Sequence, residues 1–124
     1  MFNTIIVSHT IGIYAPGEDA ENIAVADGIL WSGNISNTWG SGTFFMSNET
    51  TGNPAFVDPV GGDYHIQAIS DAVDQGVDTE VIFDIDGEAR LGAPDLGADE
   101  YFVPGTFTQI FLPIVNKDQG LLKQ

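Results

Sequence analysis

Thr4-Ile5-Ile6-Val7-Ser8-His9-Thr10 returns, 24 residues later, as Gly28-Ile29-Leu30-Trp31-Ser32-Gly33-Asn34. Apolar meets apolar at three successive positions and then serine meets serine. Pro54-Ala55-Phe56-Val57-Asp58 is a third candidate copy, with an insertion before it. A period of this length points to stacked structural units, each burying its apolar face against the next. The units read as strands: Thr4–Val7, Gly12–Tyr14, Ile23–Ala26, Ile29–Trp31 and Thr43–Met46 are short and rich in β-branched or aromatic residues. Gly, Pro, Asn or Asp bounds each one. No window carries a sustained apolar stripe at helical spacing, and only Ala68–Val73 and Lys117–Lys123 suit a helical turn.

Short strands repeating at this spacing predict an all-β fold: a short parallel β-solenoid of two or three coils. Sharp corners between strands need a left-handed backbone, which Asn tolerates well. Asn3, Asn22, Asn34 and Asn53 are the corner candidates.

The bulk properties set limits on function. The chain has 124 residues, the size of one domain, and 15 glycines. Its net charge is −15, and Arg90, Lys117 and Lys123 are its only Lys or Arg residues. Nucleic acid is excluded as a partner, because phosphate binding needs clustered Lys and Arg. Anionic membranes are disfavoured likewise. Divalent cations, or a saline or extracellular medium, suit this surface better. There is no cysteine, hence no disulfide framework, thiolate zinc site or cysteine nucleophile. The apolar run Ile110–Val115 is too short to span a bilayer. No signal peptide is expected at Met1, since no basic region followed by an apolar one opens the chain.

Twelve acidic side chains and one base, Arg90, lie between Asp58 and Glu100. The stretch runs Asn53-Pro-Ala-Phe-Val-Asp-Pro-Val-Gly-Gly-Asp-Tyr-His-Ile-Gln67, then Ser70-Asp71-Ala72-Val73-Asp74-Gln75-Gly76. Asp84-Ile85-Asp86-Gly87-Glu88-Ala89-Arg90 and Asp95-Leu96-Gly97-Ala98-Asp99-Glu100-Tyr101 follow. In this order the blocks resemble the C-terminal region of secreted bacterial right-handed parallel β-helix proteins of the pectate-lyase-like superfamily, choice-of-anchor type. Asp71 and Ala89 depart from that pattern, which commonly has proline at both places. The tail, with Phe111-Leu112-Pro113-Ile114-Val115, resembles the ending of many secreted proteins from filamentous green bacteria.

The resemblance implies β-helix coils over residues 1–58, an acidic C-terminal cap over 59–103 and an apolar/polar tail over 104–124. It also implies a location outside the bacterial cell or at its surface. Family members carry more coils upstream, so the first coil is expected to present an unpaired edge, and unpaired edges recruit partners. The partners this suggests are the upstream coils of the same protein or another copy of the chain, whose tail Phe107–Val115 could add a strand to that edge.

Candidate chemistry is sparse. Asp27 and Asp58 fall at comparable places in successive coils, the arrangement a glycosidase pair requires. Neither has the cationic company such sites use, and both suit turns. Elimination from a polyuronate needs a base with cationic help, and Arg90 stands alone within the cap motif. No catalytic residue is assigned, and the expectation leans away from an enzyme. Arg90 is instead expected to be a structural clasp, a guanidinium pinning the Asp84–Glu88 loop to Asp84, Asp86 or Asp95. Asp84, Asp86, Asp95 and Asp99 are the candidate calcium ligands, since Asp-x-Asp-Gly-Glu resembles the start of an EF-hand loop. His9 and His65 read as isolated structural histidines. Trp39, beside Gly40 and Gly42, is the candidate exposed ring for stacking on a glycan.

Overall fold

The structure is a computed structural model and describes residues 1–17 and 21–103. Seven strands follow one another: β1 (Phe2–Val7), β2 (Ile11–Tyr14), β3 (Ile23–Ser32), β4 (Ser36–Trp39), β5 (Thr43–Thr51), β6 (Phe56–Asp58) and β7 (Asp63–Ile66). The described residues form no helix; Ala68–Val73 makes turns closed by hydrogen bonds such as Ser70 N to Gln67 O and Val73 N to Ser70 O. The expected tail strand, Phe107–Val115, and Lys117–Lys123 lie outside the described residues.

The fold is all-β with small parallel sheets. One holds β1, β3 and β5 in that order; a second pairs β2 with β4, also in parallel. The β6–β7 pair is antiparallel. Phe56–Asp58 is therefore not a third copy of the repeat. That place belongs to β5, whose Thr43 sits opposite Ile23.

The true register is one residue away from the apparent 24-residue repeat. Ile5 pairs with Leu30 and Ile6 with Trp31, an offset of 25. A one-residue slip moves every side chain to the other face, so the difference decides the core. Ile6, Ile29 and Trp31 point to one side of the sheet, where they pack with Ala26, Ile13 and Met46. Ile5 and Leu30 point to the other, where they pack with Phe56, Ile66, Ala72, Val73, Leu96 and Tyr101. Val7 does not share a column with Trp31; it pairs with Ser32.

The strands bend along a stack of left-handed residues. Asn3 (φ 46°), Gly28 (φ 74°) and Asn48 (φ 49°) are aligned across β1, β3 and β5. Only glycine serves at the middle position, because a Cβ on Gly28 would stand 2.6 Å from the Asn3 Oδ1. A second bend stacks Ser8 (φ 60°) and Gly33 (φ 62°), next to the Val7–Ser32 pair. Of the four predicted corner asparagines only Asn3 is left-handed. Asn34 works through its side chain instead: its Oδ1 accepts from the His9 N–H, and its Nδ2 donates to the Ile6 carbonyl.

Residues 59–103 do not lie over an end of the strand stack. Ile66, Ala72 and Leu96 cover the outward side of β1 and β3, because Ile5 and Leu30 need apolar cover there. Main-chain bonds agree: Gly97 N–H donates to the Asn3 carbonyl, and the Asn3 amide side chain bonds both the N–H and the carbonyl of Val77. β1 and β5 remain the two edges of their sheet, and among the described residues no strand pairs with their outer sides.

Leu96 is fully buried between β1, β3 and this outer layer. Leu96→Ala is expected to lower stability by about 2–5 kcal/mol, the range for a leucine removed from a close-packed core. Equilibrium unfolding in urea would measure it; a loss below about 1 kcal/mol would mean that the outer layer is not part of the cooperative unit.

Candidate functional site

The acidic blocks converge at the outer layer, and most of their carboxylates bind main-chain N–H groups. A loop segment has few ladder partners for its backbone, so side-chain acceptors satisfy it. Asp71 Oδ2 accepts from Asn53 N–H at 2.7 Å while its own N–H donates to the Asn53 carbonyl. Asp84 Oδ1 accepts from Asp86 N–H and Glu88 N–H, closing the turn through Gly87, and its Oδ2 accepts from Glu100 N–H. Asp95 accepts from Asp74 N–H at 2.7 Å and from Tyr101 N–H at 2.6 Å. Asp99 accepts from Ile66 N–H at 2.8 Å.

Arg90 lies at the centre of this layer. Its Nη1 donates to the Glu100 carboxylate at 3.1 Å and to the Asp95 carbonyl at 3.0 Å; its Nη2 donates to the Gly97 carbonyl at 2.9 Å. The two ion-paired side chains are only 8% and 5% exposed. The acid that meets the guanidinium is thus Glu100, and not Asp84, Asp86 or Asp95. Asp84 and Asp95 are occupied by N–H donors, and Asp95 meets Arg90 through its main-chain oxygen. Burial pushes the Asp95 and Glu100 carboxyls above the ordinary carboxylate range, against the pull of their N–H donors and of Arg90.

The predicted calcium set does not assemble as a whole. Asp84 and Asp86 come together with Glu88, and Asp86 and Asp99 come together with His65, the donor atoms within each trio lying within 4.8 Å of one another. Asp95 belongs to neither trio. Burial, followed by the charges of Asp84 and Asp86, raises the Glu88 carboxyl.

His65 is not isolated. Its Nδ1 bonds the Asp63 carboxylate and its Nε2 lies 2.8 Å from Asp86 Oδ2. These two carboxylates raise the imidazole to about 9, and His65 in turn holds Asp63 below the ordinary range. Asp63 was legible as its partner: residues i and i+2 of a strand share a face. Asp86, 21 residues away, was not.

The remaining candidates are dispersed. Asp27 binds the Asn48 side chain at the left-handed bend, which lowers its carboxyl, whereas Asp58 caps Gly61 in the β6–β7 turn. No hydrogen bond joins them into a glycosidase-like pair. Trp39 ends β4 beside its register partner Tyr14, and each is 61% exposed. Both belong to the second sheet.

No protein family, curated protein or solved structure matches this chain.

Arg90→Ala takes the guanidinium from two carbonyls and from the buried Glu100 carboxylate, which keeps only the Asp95 N–H as donor, and is expected to cost about 3–5 kcal/mol. Arg90→Lys should recover only part of this, since an ammonium cannot span three acceptors placed for a planar fork. Equal stability of the alanine and native proteins in denaturant would refute the clasp.

The shifts also fix the direction of the pH dependence. Asp95, Glu88 and Glu100 hold protons more tightly when folded, so their stabilising effect is present at low pH and lost as pH rises through their folded values. His65 contributes in full below 6.5, and this is lost as pH rises through about 9. Asp27 and Asp63 act oppositely: their contribution is present above 3.8 and lost as pH falls through their depressed values. The melting temperature should therefore be highest at roughly pH 5–6 and fall steadily toward roughly pH 9. Calorimetric melts across that range would test it, and a maximum at the alkaline end would contradict these assignments.

Proposed function

We propose that the chain is a non-catalytic structural end module of a parallel β-helix protein that works outside the cell or at its surface. Parallel strands recurring at offsets of 25 and then 20 residues support the coil reading, as do the aligned left-handed bends. The resemblance of the ordered acidic blocks to secreted bacterial β-helix proteins supports the setting.

The observation that carries the reading is Glu49. It occupies the inward column of Thr4 and Ile29, and its carboxylate accepts the Trp31 indole N–H at 2.8 Å. A charged residue turned inward on an edge strand prevents another strand from stacking there, because pairing would bury the charge. Both edges expose a large aromatic side chain, Phe2 on β1 and Phe45 on β5, and the inward charge of Glu49 is what sets the β5 edge apart. The stack therefore ends at β5 through that strand's own chemistry, while the acidic layer braces the side. The main-chain bonds that occupy Asp71, Asp84, Asp95 and Asp99 account for these acids structurally.

Glu49→Val should unblock the β5 edge. Light scattering should then show a mass that grows with protein concentration, above any growth seen for the native chain. In the same samples, pectic and alginate polymers should yield no unsaturated uronide product. An unchanged mass for the variant would remove the support for an end module, and product formation would overturn the non-catalytic assignment.

A further inference from the structure

Three separate segments meet beside His65: the β6–β7 hairpin, the turn Asp84–Glu88 and the segment Ala98–Glu100. We propose that His65 Nε2, Asp86 and Asp99 form a binding site for one divalent cation of the zinc class, with Asp63 holding the imidazole in place. This proposal is independent of the end-module reading.

The donor atoms of the three residues lie within 4.8 Å of one another. A tetrahedral ion with bonds of about 2.0–2.2 Å holds its ligand atoms roughly 3–4 Å apart. Asp86 is half-exposed and already ion-paired with His65 Nε2 at 2.8 Å, so an ion that binds here parts this pair, displaces the ring proton to solvent and draws the carboxylates in around itself. The other two ligands are already oriented. Asp99 is buried and held by the Ile66 N–H. His65 is held by Asp63, whose carboxylate meets both the ring Nδ1 and the His65 N–H. A carboxylate on one ring nitrogen fixes the tautomer that presents the other to a metal, the usual arrangement behind a metal-bound histidine. Here the other nitrogen faces Asp86. Glu88 groups with Asp84 and Asp86 and not with His65 and Asp99, so the remaining coordination position falls to water.

The donor set separates zinc-class ions from calcium. Calcium takes six to eight oxygens and gains nothing from an imidazole. Asp84, the obvious further oxygen source, spends both its oxygens on main-chain N–H groups. One nitrogen with two carboxylates suits zinc, cobalt or manganese. A bound ion would join the three segments at their outer rim as Arg90 joins two of them within.

The test is calorimetric titration of chelator-treated full chain with zinc chloride, and separately with calcium chloride. One equivalent of zinc should bind, with a rise in melting temperature, and cobalt should give visible bands of a nitrogen-containing site. His65→Gln and Asp86→Asn should each weaken zinc by more than about tenfold, and Asp63→Asn by about 10–100-fold. His9→Gln should change nothing. Nuclear magnetic resonance of the native His65 ring gives a readout independent of how the variants fold: its signals should move on adding zinc. The proposal fails if millimolar zinc gives no heat. It also fails if zinc leaves the His65 ring unperturbed, if His65→Gln binds zinc as the native chain does, or if calcium binds as tightly as zinc.

Discussion

Leu30 and Trp31 are adjacent in the chain, point to opposite sides of β3, and are both almost wholly buried. The remaining architecture follows from that requirement. A strand covered on one face only can alternate apolar and polar residues; β3 cannot, and Ile29-Leu30-Trp31 is continuous and apolar. One face is covered where Ile13 and Met46 pack against Trp31, Ile29, Ala26 and Ile6. The other face needs a separate layer, and residues 56–101 provide it. A chain this short has little interior to spend, so two thin cores share the same central strand.

The outer layer has little regular structure, and that explains its composition. With few strand ladders, its N–H groups need other acceptors, and a carboxylate offers two oxygens at low steric cost. The acids of the DIDG and DLGADEY blocks are therefore chiefly backbone fasteners. Burying them has a cost, visible in the raised Glu88, Asp95 and Glu100 carboxyls, where lost solvation comes first and neighbouring carboxylates add to it. Arg90 offsets part of it at the most buried point. His65 does the same at the rim, where Asp63 and Asp86 hold its proton.

The strand content was legible in the sequence, because β-branched and aromatic runs bounded by Gly and Asn have few alternatives. The register was not. At 24 all three of Ile5-Ile6-Val7 meet Ile29-Leu30-Trp31, whereas at the true offset of 25 only two do and Val7 meets Ser32, so apolar periodicity favours the wrong offset. The left-handed residues at Asn3, Gly28 and Asn48 break the simple alternation within each strand, so even a longer comparison would drift. Local carboxylate roles were within reach: Asp84 to Glu88 and Asp58 to Gly61 are turns of a few residues. Asp99 to Ile66 spans 33 residues and Arg90 to Glu100 competes with three nearer acids, so both became visible only in three dimensions. That Leu30 is covered by Ile66, Ala72 and Leu96, 36 to 66 positions later, was likewise visible only in three dimensions.

Asn3 joins Val77 by two hydrogen bonds across 74 positions of the chain. This one amide sets a left-handed bend and anchors the outer layer to the first strand. Its kinetic consequence is that the layer cannot lock until most of the chain has been made and a loop of 74 positions closed. Loop closure is lost entropy that must be met before any such contact repays it. Until then Ile5 and Leu30 face solvent on a half-built sheet. The slow, vulnerable moment in the life of this protein is thus the interval between forming β3 and seating Val77 on Asn3, and the dense negative charge of the incoming segment helps keep the exposed intermediates of neighbouring molecules apart.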